Sequence, residues 1–158
     1  MKKYLLIGVL ILIVLISCNL GFSGTLGGGN IYRFGCNTKQ LNFYLDSIEK
    51  NNISLRTPED LKKYDDWDKT GYGFLKGKIF YIKNLNDSEM YYVSVIPPMV
   101  KTNTAGVAVR SVFRTKEYSL GWKTFEDLSS SEKEEIEEKF KNRVLSQLPL
   151  KLLSIDKD

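Results

Sequence analysis

The sequence predicts a small single α+β domain: a three- to four-stranded antiparallel sheet with helices packed on one face. Three observations carry this. The chain has 158 residues, the size of one domain. Helical apolar periodicity stands near both ends of its globular part, and short β-branched and aromatic runs closed by polar turns lie between. The order is helix, short helix, sequential strands, helix, which places the helices together on one side of a sheet. Apolar residues at 42% and charged residues at 27% give an ordinary globular balance.

The first helix runs from Asn37 to Lys50. Asn37 caps it, Gln40 completes a capping box, and Leu41, Tyr44, Leu45 and Ile48 fall on one face. A second, short helix starts at Thr57 as N-cap, with Pro58 in its first position and Glu59 and Asp60 following. Lys78–Lys83 and Met90–Ile96 are rich in β-formers and flank the turn Asn86-Asp87-Ser88, so they pair as a hairpin. Pro97-Pro98 stops the pairing because proline offers no amide. Gly106–Arg114 is the third strand. Strict alternation there sends Val107, Val109 and Phe113 to a dry face and Arg110 and Arg114 to a wetter one. Tyr118–Trp122 adds a short fourth strand. The last helix opens on a capping box of Ser131 and Glu134, buries Ile136, Phe140, Val144 and Leu148, and ends at Pro149. Glu134, Glu135, Glu137 and Glu138 precede Lys139, Lys141 and Arg143, as the helix dipole favours. Leu150–Ile155 is an apolar tail or edge strand.

The N-terminus locates the protein. Lys2 and Lys3 precede an apolar run from Tyr4 to Ile16, too short to span a bilayer core of about 30 Å and right for the apolar region of a signal peptide. Leu15-Ile16-Ser17-Cys18 closes it. This arrangement resembles the lipobox signal of bacterial lipoproteins. The resemblance covers residues 1–18 only. It implies that 1–17 are a signal peptide, that the Cys18 sulfur carries a diacylglyceryl group, and that the new amine is acylated. Two or three acyl chains hold stably where one holds marginally. The glycines between 19 and 30 read as a flexible tether. The predicted organisation is therefore a signal peptide over 1–17, a lipidated Cys18 with a Gly-rich tether over 18–30, and one α+β domain over 31–158. The protein sits on the periplasmic or cell-surface side of the envelope, at the outer membrane where the cell has one.

Composition narrows the chemistry. The chain has no histidine, so a Ser-His-Asp or Cys-His nucleophile system and a His-ligated metal are excluded. Two cysteines exclude a closed zinc or iron–sulfur site within one chain. Of the 23 basic residues, two belong to the leader; the remaining 21 against 19 acidic residues leave +2, too little to imply nucleic acid. No cofactor motif is present. Asp66, Asp68 and Thr70 alternate before Gly71 like the front of a calcium loop, but Gly77 stands where the bidentate glutamate belongs, and a solvated loop is the simpler reading. Cys36, the one thiol left after lipidation, reads as buried and inert. Tyr81, Tyr92, Arg110 and Arg114 are the candidate binding surface, because tyrosine and arginine on an open sheet face suit an interface.

The expected function is non-enzymatic. The chain is a lipid-anchored binding protein, held to the membrane through Cys18 and serving a protein partner in the envelope as an accessory subunit or as an inhibitor or immunity-type protein. The alternative is an envelope hydrolase using carboxylates drawn from Asp65, Asp66, Asp68, Glu89 and Glu126.

Overall fold

Asn37 caps the first helix as predicted: its Oδ1 accepts from the Gln40 amide at 2.9 Å, and Gln40 Oε1 accepts from the Asn37 amide at 3.1 Å. The structure, a computed structural model, describes residues 27–67, 77–83, 87–98, 103–116 and 121–157. Its strands are β1 (Ile31–Phe34), β2 (Gly77–Lys83), β3 (Ser88–Ile96), β4 (Ala105–Arg114), β5 (Lys123–Thr124) and β6 (Leu152–Asp156). Its α-helices are α1 (Thr38–Asn51) and α2 (Ser130–Arg143). The fold class is α+β. The antiparallel sheet has six strands in the order β2-β3-β4-β1-β6, with β5 beside the far half of β4. That exceeds the three or four expected. The unexpected strand is β1, which follows glycines that mask it; β6 is the tail or edge strand expected over 150–155, and in place of a strand over Tyr118–Trp122 the short strand is β5 at Lys123–Thr124, Tyr118–Leu120 lying outside the described residues.

The central hairpin forms as expected, Gly77 opposite Ser94 through Lys83 opposite Ser88. Two starts move. The segment after Pro58 is a 3-10 helix, Glu59–Tyr64, with Pro58 rather than Thr57 in the capping position. The last helix is capped by Ser129 with Glu132, not Ser131 with Glu134. Each serine has a glutamate three residues on. The earlier pair has a further bond: Glu132 Oε1 also accepts from Arg114 Nη1 at 2.5 Å, which ties the helix start to β4.

α1 contributes Leu41, Leu45 and Ile48 to the main core, and α2 contributes Ile136 and Phe140. The sheet meets them with Tyr32, Phe34, Phe80, Ile82, Tyr91, Val93, Val107, Val109 and Val112. Burying one such side chain contributes about 1.5–3 kcal/mol, so this face dominates stability.

The opposite face carries a smaller core of Leu61, Trp67, Ile79, Met90, Tyr92 and Phe113. Phe113 thus lies away from Val107 and Val109, against the alternation expected from sequence. The cause is a β-bulge. Tyr92 pairs Ser111 while Val93 pairs Val109, so Arg110 is an extra residue in β4 and the parity of the strand inverts beyond it.

Candidate binding surface

The bulge separates the four residues expected to share an open face. Tyr81 and Tyr92 do share one, but it is covered. Tyr92 is buried beneath Trp67, their rings stacked at 4.1 Å, and Trp122 packs edge-on against both. Trp122 Nε1 donates to the Tyr64 carbonyl at 2.8 Å, holding the lid of this second core. Tyr81 is half-buried at its margin. Arg114, beyond the bulge, points to the helix side. Arg110 is only 8% exposed and its Nη1 donates to the Gly28 carbonyl. The four residues are built into the fold and do not form one exposed patch.

Arg114 belongs to an ion network between β3, β4 and α2. Glu89, 3% exposed, accepts from Arg114 Nε at 3.3 Å, from Lys139 Nζ at 2.9 Å and from the Tyr91 hydroxyl at 2.9 Å. Lys139 also meets Glu135 at 2.6 Å. Burial alone would push the Lys139 ammonium down; hydrogen bonds to Glu135 and Glu89 outweigh it and hold it above its ordinary value. Burial, reinforced by the Glu89 charge, pushes the Tyr91 phenol far up. Bonds from Ser129, then from Arg114, hold the Glu132 carboxyl down at about 2. A buried carboxylate shared by two cations and a phenol is a satisfied structural cluster.

The turn where the described chain begins is part of the domain. Gly27–Asn30, expected as the end of a tether over 18–30, pack on the domain instead, and residues 18–26 lie outside the described residues. Gly28 and Gly29 have φ of 83° and 82°, and a side chain on Gly29 would strike the Val109 carbonyl oxygen at 2.3 Å. Asn30 donates from its backbone amide to Glu137 Oε1 at 2.6 Å and from its side chain to the other carboxylate oxygen. An open cleft of about 390 Å³ lies beside this turn, lined by Gly28, Asn30, Phe125, Glu126, Lys133 and Glu137. Burial, then the nearby Glu137 charge, pushes the Tyr32 phenol up to about 12.

Asp66 is half-buried beside Trp67, while Asp68 and Thr70 lie outside the described residues, as does Cys18. Among the described residues no group of three or more potential metal ligands comes together. Cys36 is buried in the main core, and burial pushes its thiol up.

The edge strand expected over Leu150–Ile155 is β6, Leu152–Asp156; what sequence reasoning missed is that its side chains stay exposed. Every residue of β6 is exposed, including Leu152, Leu153 and Ile155 at 37%, 52% and 43%. The aliphatic run after Pro149 was the available signal. No protein-family model, curated protein or solved structure matches the chain.

Proposed function

We propose that the chain is a lipid-anchored lipoprotein of the bacterial envelope whose domain works by binding, as an accessory subunit of an envelope assembly or as an inhibitor or immunity-type protein. The observation that carries the anchoring is Leu15-Ile16-Ser17-Cys18 behind the lysine-led apolar run. The domain then starts close to the anchor. Gly27 is nine residues beyond Cys18, and a fully extended chain of that length reaches at most about 30 Å. Supporting the binding reading, Glu89, Arg114, Lys139 and Tyr91 are engaged with one another, whereas β6 turns apolar side chains outward. Exposed apolar residues of this kind suit an interface.

Expression with labelled fatty acid tests the reading. The wild-type chain takes up label and partitions with membranes, and Cys18→Ser loses the label and shifts toward the soluble fraction. Equal labelling and equal partition in both would refute it.

One observation favours the hydrolase as a second reading: Glu126 and Glu137 line the same open cleft. Cleavage of an envelope glycan that is lost in Glu126→Gln at unchanged melting temperature would select it.

A further inference from the structure

Five large apolar side chains are exposed among the described residues, and three of them lie on β6. That strand ends the sheet; on its far side no described strand pairs with it. Edge strands are usually guarded by charge, proline or distortion, because their free amides and carbonyls template pairing with another chain.

β6 carries a distortion with a specific consequence. Phe34 pairs Leu152 and Arg33 pairs Ser154, so Leu153 is an extra residue. The bulge inverts the parity of the strand. Leu152 and Ile155 lie opposite Phe34 and Tyr32 and share the helix side. Ser154 and Asp156 share the other side, where Asp156 Oδ2 accepts from Arg33 Nε at 2.8 Å. Extended alternation before Leu152 places Lys151 on that same side.

We infer that β6 pairs antiparallel with β6 of a second copy of this chain, about a two-fold axis between Leu153 and Ser154. In this register Leu152 meets Ile155 of the second copy and Lys151 meets its Asp156, each contact occurring twice by symmetry. A regular strand could not do this: residues 152 and 155 would lie on opposite faces, and paired residues of an antiparallel ladder must share one. The bulge is what makes the strand self-complementary in both apolar contact and charge. Cross-strand aliphatic and opposite-charge pairs each favour pairing modestly. A short strand pair is a small interface, so association is weak and reversible.

The inference concerns self-association and stands whether or not the envelope reading holds. The test uses the full chain in density-matched detergent, followed by sedimentation equilibrium across the micromolar range. The wild-type chain is expected to form a dimer. Ile155→Lys should weaken it at least tenfold, Lys151→Asp should also weaken it, and Phe43→Lys, which removes an exposed apolar side chain elsewhere, should leave it unchanged. Melting temperatures should stay within a few degrees of wild type. The register has its own readout. A mixture of Leu152→Cys and Ile155→Cys chains should form a disulfide between the two introduced cysteines, while neither variant alone should couple to itself through its introduced cysteine, because like positions lie too far apart. A monomer throughout the range, or a dimer indifferent to Ile155→Lys, would overturn the inference, and self-coupling of either cysteine variant would overturn the register.

Discussion

Arg110 Nη1 donates to the carbonyl oxygen of Gly28, so the bulge in the middle of β4 holds the turn on which the described chain begins. Val109, the residue before the bulge, brings its carbonyl oxygen against Gly29. The Gly28–Gly29 turn is therefore held on β4 by the Arg110 side chain and the Val109 backbone, and that close approach needs glycine.

Gly29→Ala should destabilise the fold by about 2 kcal/mol or more, from a left-handed backbone an L side chain resists and from displacement of the Val109 carbonyl. Gly35→Ala is the control. Its added carbon would meet only Leu153, at an ordinary 3.6 Å, and its φ is not positive. Urea titration of both variants reads the difference.

The buried ion network predicts an asymmetry. Glu89→Gln leaves Arg114 with Glu132 and Lys139 with Glu135 but removes the buried charge between them. The expected loss is about 3 kcal/mol. Glu135→Gln removes only the exposed end of the chain of charges and should cost under about 1 kcal/mol. Equal effects in a denaturation series would show that Glu89 does not organise the cluster.

Acid should weaken the start of α2. The Glu132 carboxyl is held below its ordinary value of 4.5, at about 2 in the fold. A depressed carboxyl stabilises the native state above its unfolded pKa, and the stabilisation is lost as pH falls toward the folded one. The window is therefore pH 4.5 down to 2. Glu132→Gln should lower the melting temperature at neutral pH and give a shallower decline through that window, measured by thermal melts at stepped pH.

Trp67→Ala should cost about 3–5 kcal/mol, as for a large aromatic truncated in a core. It removes the ring stacked on Tyr92 and the edge contact with Trp122. A near-neutral change would mean that this sheet face is a surface after all. Tryptophan fluorescence and urea unfolding check it together.

Much of the fold was legible because it rests on local signals. Asn37 with Gln40 and the Lys78–Lys83 and Met90–Ile96 runs appear where periodicity and capping place them. Ile136, Phe140, Val144 and Leu148 are buried as expected, but α2 ends at Arg143 rather than at Pro149, and a separate 3-10 turn over Leu145–Gln147 follows it. The misassigned faces of β4 have one cause. The β-bulge at Arg110 inserts one residue, and an alternation rule applied through it assigns every later side chain of the strand to the wrong face. That is why Arg114 was expected beside Tyr81 and Tyr92 and is found against Glu132. A bulge is a property of how two strands pair, here β3 with β4, and nothing in the local sequence of β4 announces it. The same holds for Gly28 and Gly29, which read as tether until Val109 and Arg110 are brought against them.

The central claim is that this domain is carried on a lipid at Cys18, and intact-mass and N-terminal peptide analysis of the protein recovered from membranes tests it most directly. The expected product begins at Cys18, lacks residues 1–17, and bears a diacylglyceryl thioether with an acylated amine. A chain that still begins at Met1 with an unmodified Cys18, or one cut at another position, would contradict it.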